Sequence, residues 1–442
     1  MSRGESLLHR AARGSAWTII GVFGSQGIRL VSNLILTRLL FPEVFGVMAL
    51  VMVMIQGLNN FSDVGITPAV LQSKRGDDPA FLDTAFTLQA IRGVALWLAC
   101  CALAWPAAQF YEVPELALYL PVAGFTSVIW GLQTTRIEEA NRHLRLGQLT
   151  RMEMLCQLVT TAMTVALAMV MQSAWALVIA LVLGAVVKVI AADRMLPGHR
   201  NRFRWDAAAA REMIGFGKWI FPSTIVGFGL AQGDKAILGK YLSLAGLGLY
   251  NIAFFLASFA LQMGMTVIWR VMIPIYRESP PGLSHENFLR VRRIRMALTA
   301  GFLGALAVMA ALGPWLVEVL YDDRYATAGG MVRLIACATI PQIILLSYDQ
   351  SALAAGDSRR FFALTVIRAV LFLGLFWLGV HHWGLAGGLA GQALGAILAY
   401  PATVWLARRH GAWDPLHDVL AVAAGLAIAA AFVRPSQVVG LF

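Results

Sequence analysis

Apolar residues arrive along this chain in long runs, and most polar residues are gathered in the gaps between them. The runs lack the two-residue alternation of a membrane barrel strand. Each is about long enough for a helix to cross a bilayer, which takes about 20 apolar residues. The pattern predicts twelve spanning helices. Six lie at 14–37, 44–66, 83–109, 115–136, 152–171 and 174–192, and six more at 213–238, 246–272, 296–317, 329–353, 361–380 and 384–407. A thirteenth run, 417–433, is short, and predicts a helix that either crosses or lies against the surface.

The basic residues give an independent test, because Lys and Arg concentrate on the cytoplasmic side of membrane proteins. With the N-terminus inside, one set of loops holds Lys74 and Arg75, Arg136 to Arg151, Arg194 to Lys218, Arg270 to Arg295, and Arg359 with Arg360. The opposite set holds Arg38, Lys240, Arg324 and Arg434 alone. A wrong span count in the middle of the chain would scramble this alternation.

Composition agrees with that architecture. The 442 residues are 59% hydrophobic and 13% charged, where a soluble domain carries about 25% charge. The net charge of +11 would point to nucleic acid in a soluble protein. Here the charges sit in loops, so no nucleic-acid partner is expected. Cys100, Cys101, Cys156 and Cys337 lie in or beside apolar runs without C-x-x-C spacing, and read as small hydrophobes. The opening "MSRGESLLHRAARGSAWTIIGVF" has basic residues before an apolar run but no clear cleavage site. It reads as a retained first span after a short amphipathic stretch.

Two segments repeat. "LTRLLFPEVFGVM" (36–48) and "LGKYLSLAGLGLY" (238–250) align at one offset, pairing Leu36 with Leu238, Arg38 with Lys240, Leu40 with Leu242 and Gly46 with Gly248. Each joins the first and second helices of a six-helix half. Parallel repeats of this kind are a transporter architecture. The expected organisation is therefore all-α: a cytoplasmic stretch 1–13, an N-lobe 14–192, a basic linker 193–212, a C-lobe 213–407 and an extension 408–442 with the thirteenth helix. Among the 41 glycines, "GLAGGLAGQALGA" (384–396) would let helices approach closely.

No H-E-x-x-H, G-x-x-x-x-G-K-[ST] or G-x-S-x-G occurs, so neither an enzyme nor ATP hydrolysis by a P-loop is expected. The histidines show no metal-ligand spacing. Candidate chemistry lies with ionisable residues inside spans, which usually face a bundle interior or an aqueous path. Arg29, Arg92, Lys235 and Arg368 are the leading candidates for a cationic cavity, since a guanidinium suits phosphate oxygens. Gln26 and Asn33 share a helical stripe with Arg29. Lys188 and Arg333 are weaker candidates near span ends, where snorkelling to the headgroups explains Lys188 as well. Asp63 and Asp234 are weak candidates for ion coupling. A helix cap is the plainer reading of Asp63, and a structural charge the plainer reading of Asp234.

The stretches "GSAWTIIGVFGSQGIRLVSNLILTRLLFPEVFGVMALV" (14–51), "FSDVGITPAVLQ" (61–72) and "GDKAILGKYLSLAGLGLYNIA" (233–253) resemble the bacterial polysaccharide and O-antigen flippases. These belong to the multidrug, oligosaccharidyl-lipid and polysaccharide exporter superfamily. The resemblance covers spans one to twelve. It implies two six-helix lobes forming a V around a basic cavity in the bacterial inner membrane. The passenger it implies is an undecaprenyl-diphosphate-linked oligosaccharide, moved from the cytoplasmic to the periplasmic leaflet for exopolysaccharide, capsule or O-antigen assembly. No cofactor is implied beyond a proton or sodium gradient. Membrane lipids, a polysaccharide polymerase and export machinery are the implied partners. Members with fourteen spans exist, so the C-terminal arrangement departs from part of the family. The alternatives are a multidrug exporter, a peptidoglycan-precursor flippase, and a non-transporting scaffold. The mostly basic intramembrane charges argue against a cationic drug, but do not separate the two flippases.

Overall fold

Helix starts are written into the loops. Asp78, Ser243, Ser284 and Asp414 each precede a helix and accept a backbone N–H of its first turn through the side chain, satisfying a donor that the helix itself leaves open. Pro79 and Pro415 follow two of these caps, at the position where a missing N–H costs nothing. The computed structural model describes residues 7–62 and 65–433. Among them there is no strand. Residues 1–6 and Asp63 lie outside the described residues.

The chain divides into two compact units, residues 1–228 and 229–442. The first contains α1 (Leu7–Leu39), α2 (Pro42–Phe61), α3 (Ile66–Gln72), α4 (Pro79–Tyr111), α5 (Leu116–Gly124), α6 (Thr126–Gly131), α7 (Arg136–Arg142), α8 (Leu146–Met171) and α9 (Ala174–Met195), with the first part of α10 (Ala207–Tyr241). The second holds the rest of α10, then α11 (Leu244–Ala257), α12 (Phe259–Glu278), α13 (His285–Leu320), α14 (Ala328–Leu345), α15 (Asp349–Ala354), α16 (Ser358–Leu398), α17 (Tyr400–Arg409) and α18 (Pro415–Phe432).

Among the described residues, every predicted span falls mostly on helix. Among the described residues, nine helical stretches are long and apolar enough to cross a membrane, and ten if a bent pair is one span. The first member of that pair, Leu116–Gly131, is the predicted span 115–136. It is broken into α5 and α6, and then bends by 59° into α7. The predicted spans 361–380 and 384–407 belong to one stretch, Ser358–Arg409, which turns at Trp383 and Gly384. Gly384 has φ 57° and ψ −153°, a backbone state essentially confined to glycine. The first and seventh predicted spans lie on α1 and α10. The thirteenth is α18, 18 residues long and also apolar enough to cross.

Small residues set the helix spacing in both units. A methyl group on Gly131 of α6 would lie 2.9 Å from the Gln89 carbonyl of α4. In the second unit the two arms of α16 run so close that a Cβ on Gly379, Gly387 or Gly391 would overlap backbone carbonyls of the facing arm. Apolar clusters fill the remaining space. In the first unit Ile66, Val70, Phe81 and Leu82 pack with Ala209 and Met213 of α10. In the second, Leu303, Leu306, Ile340 and Ile343 pack with Ala421 of α18. Lipid offers helices no hydrophobic drive to associate, so close packing and interhelical polar bonds carry more of the cohesion.

Candidate functional site

Span one places Gln26, Arg29 and Asn33 on α1 at helical spacing. Arg29 is exposed, while Gln26 and Asn33 are half-buried. The Gln26 Oε1 atom is buried without a hydrogen-bond partner. A side chain added at neighbouring Gly27 would meet nothing within 4 Å.

Each of Arg92, Lys188 and Arg333 has partners inside its own unit. Arg92 on α4 donates from Nε to Ser62 Oγ at 3.0 Å and from Nη2 to the Asn59 carbonyl at 2.7 Å. It thereby supplies positive charge to the C-terminal end of α2, where carbonyls are left open and the dipole is negative. Lys188 on α9 is close enough to the buried Glu138 of α7 for their charges to act on each other, and Thr67 donates to Glu138 Oε1 at 3.3 Å. Arg333 on α14 donates to the Ala310 carbonyl of α13 at 3.0 Å.

Asp234 and Lys235 are 3% and 7% exposed. Adjacent helix positions diverge, yet the long lysine chain folds back and its Nζ lies 3.5 Å from Asp234 Oδ2. Helix α11 closes the pair: the Tyr250 hydroxyl donates to Asp234 Oδ2 at 2.7 Å, and the Phe254 ring centroid is 4.1 Å from the ammonium. A buried pair with a hydrogen bond and a cation–π contact meets the condition under which burying charge is tolerated.

Arg368 on α16 finds a partner the sequence reading missed. Its Nη1 lies 2.6 Å from Asp349 Oδ2, and its Nη2 donates to Thr403 Oγ1 at 3.0 Å. Asp349 belongs to "SYDQS" (347–351), five buried residues where α14 gives way to α15. The Ser347 Oγ, Asp349 Oδ1 and Gln350 Oε1 atoms have no hydrogen-bond partner. The signal was present as a polar run inside an apolar span.

A second missed cluster joins α13, the break after α14, and α18. Arg295, assigned from sequence to a cytoplasmic segment, is 1% exposed. It donates to Tyr276 Oη at 2.6 Å and lies over the Tyr348 ring, 4.3 Å from its centroid. The Tyr348 hydroxyl donates to Asp418 Oδ1 at 2.6 Å. His417 bridges Asp418 Oδ1 and Thr299 Oγ1, each at 2.9 Å. Arg292 pairs with Asp414, the cap of α18, at 2.6 Å. These bonds seat the N-terminal end of α18 in the second unit.

The basic linker is also pinned. Asp83 on α4 meets His199 Nε2 at 2.8 Å and accepts the Arg202 N–H at 2.9 Å. Arg75 bridges Asp78 and Asp206, at 2.9 Å to each. Hydrogen bonds from Arg75 are the main cause holding both carboxyls below their ordinary value of 3.8. A depressed carboxyl adds stability above its ordinary value and loses it as pH falls through the folded value. Below about pH 3.8 the linker should become progressively easier to cleave in limited proteolysis. Arg75→Gln should shrink this step to the smaller part that the backbone N–H groups of Ala80, Ala208 and Ala209 sustain. A wild-type linker with pH-independent cleavage would contradict the bridge.

Comparison with known proteins follows the same lines. The family model described as "Polysaccharide biosynthesis protein" matches residues 35–329. The succinoglycan biosynthesis transport protein ExoT of Rhizobium meliloti is 22% identical over 73% of this chain, and the match spans 65% of that protein, a little under two thirds. The lipopolysaccharide biosynthesis protein WzxC of Escherichia coli is 21% identical over 89% of this chain and 81% of its own. Among solved structures, the lipid II flippase MurJ in an inward closed conformation superposes with a TM-score of 0.70. That match covers 94% of this chain and 97% of MurJ at 9% identity, a likeness of fold alone.

Proposed function

We propose that this chain, which belongs to the polysaccharide biosynthesis protein family, moves a lipid-diphosphate-linked oligosaccharide between bilayer leaflets for polysaccharide assembly. The match over residues 35–329 carries this reading, and the succinoglycan transport protein ExoT and the lipopolysaccharide biosynthesis protein WzxC support it. The direction is from the cytoplasmic to the periplasmic leaflet of the inner membrane, with the N-terminus cytoplasmic. That orientation rests on the distribution of Lys and Arg. No bond in the passenger breaks, so the protein acts as a carrier and needs no catalytic group. The two halves, 14–192 and 213–407, are repeats of the kind that give alternating access in other carriers.

Arg29 is the residue we assign first to the passenger's diphosphate. It is exposed in the middle of a predicted span, where a charge is costly unless something polar meets it. Gln26 and Asn33 extend the same stripe toward the passenger. Arg92, Lys235 and Arg368 take second place, because they are less exposed than Arg29. Lys188 and Arg333 rank below these. A proton or sodium gradient supplies the driving force, with Asp234 and Asp63 as the carboxylates to test. A polymerase and an export complex would receive the product.

Arg29→Ala should lower polymer output at least tenfold while membrane abundance stays at the wild-type level, and Arg29→Lys should restore part of it. Normal output from an equally abundant Arg29→Ala protein would remove Arg29 from the site.

A further inference from the structure

The linker between the halves carries a feature that transport alone does not explain. Residues 201–206 belong to no helix or strand and are strapped across the start of α4. The amides of Arg202, Arg204 and Asp206 bond to side chains of Asp83, Thr87 and Thr84, at 2.9 to 3.0 Å. Thr87 also donates to the Arg204 carbonyl at 3.0 Å. The backbone is therefore fixed, while the side chains of Arg202, Phe203, Arg204 and Trp205 are exposed. Phe203 is 70% and Trp205 53% exposed.

Nearby carboxylates do not neutralise this strap. Asp83 is taken by His199, Asp193 by Arg136 and Asp206 by Arg75. Arg200, Arg202, Arg204 and Arg211 are exposed and form no ion pair with an acidic side chain among the described residues. Hollows flank the strap. One, of about 340 Å³, is lined by Phe86, Leu132, Val189 and Ile190 on its apolar side and by polar residues that include Asp193 and Arg194, and the Phe86 ring lies 5.1 Å from that of Phe203. Another, of about 420 Å³, is bounded by Trp205, Arg211 and Ile214.

We infer that this strap is a docking site for an anionic phospholipid of the cytoplasmic leaflet. Its position at the headgroup layer rests on the proposed topology. The unpaired arginines meet the phosphate, and the apolar sides of the two hollows take acyl chains. Basic groups beside apolar surface at this level are the arrangement that recognises anionic lipid, and Trp at the interface anchors it. A zwitterionic lipid offers the same chains with its phosphate charge already compensated. Selectivity therefore comes from the arginines.

The test uses the full chain in lipid nanodiscs, with brominated phosphatidylglycerol or brominated phosphatidylcholine as quencher. The difference between wild type and Trp205→Phe isolates the Trp205 emission. Brominated phosphatidylglycerol should quench that emission at least threefold more than brominated phosphatidylcholine at equal content. Arg202→Gln with Arg204→Gln should equalise the two lipids without moving the thermal midpoint. Equal quenching in wild type would overturn the inference. Displacement of the brominated lipid by one equivalent of polyprenyl diphosphate, or by millimolar inorganic phosphate, would also overturn it. The first result would make the strap a dock for the passenger, and the second a plain phosphate site. No step of the assay depends on transport, so its failure and failure of the flippase reading are distinguishable.

Discussion

Truncating Arg368 to alanine is expected to cost about 3–5 kcal/mol and to remove most of the folded protein from the membrane. Asp349 is 9% exposed. One of its carboxylate oxygens meets Arg368 at 2.6 Å, and the other has no hydrogen-bond partner. Without the guanidinium, the carboxylate is left charged in a place that cannot solvate it, or must bind a proton to stay there. Thr403 also loses a donor to its hydroxyl. The penalty belongs to the orphaned charge and not to the attraction of the pair. The double variant Arg368→Met with Asp349→Leu should therefore recover much of the loss. Thermal unfolding of detergent-purified protein, read for both single variants and the double, closes the cycle. An Arg368→Ala protein with an unchanged midpoint would show that the pair does not hold the second unit together.

The second large effect is expected at Gly391. A Cβ there would fall on the Leu375 carbonyl of the facing arm of α16. A backbone oxygen cannot rotate away as a side chain can, so the arms must separate. Gly391→Ala should cost about 1–3 kcal/mol as an overpacked site, and Gly391→Leu should prevent folding. Gly374, on the same helix, is the control, because a Cβ there would meet nothing within 4 Å. Gly374→Ala should be neutral or slightly stabilising, since alanine favours helix by about 1 kcal/mol over glycine. Equal behaviour of Gly391→Ala and Gly374→Ala would contradict the close approach of the arms.

Much of the architecture was legible because a bilayer enforces it. Backbone groups in hydrocarbon must bond within their own helix, so an apolar run of sufficient length has one outcome, and helix lies under most of every predicted span. The glycines of 384–396 were also readable as a close-packing face. The breaks were harder to read. The bend after α6 contains no proline or glycine pair that marks it, and the kink at Trp383–Gly384 turns on one backbone state that composition does not disclose.

Side-chain partnerships were the least legible part. Helical spacing says that Asp234 and Lys235 diverge, but it does not describe where a long lysine chain folds, nor that Tyr250 and Phe254 close over the pair from α11. Arg368 was visible as an intramembrane charge, whereas its partner Asp349 lies 19 residues earlier in another span. Arg295 looked like one more loop arginine because it sits among Arg290, Arg292 and Arg293. Its burial depends on α13 starting at His285, about three turns before the apolar run. In each case the missing information was which helix lies opposite, and a single apolar pattern carries little of it.

Translocation changes the leaflet in which a lipid-linked glycan sits, so leaflet location reads it out. In a strain lacking this gene and any redundant flippase, lipid-linked glycan should accumulate intact and inaccessible to a membrane-impermeant probe applied to the periplasm. The wild-type gene should return it to the accessible pool, and Arg29→Ala at equal abundance should not. Unchanged periplasmic access in the deletion strain would contradict the account.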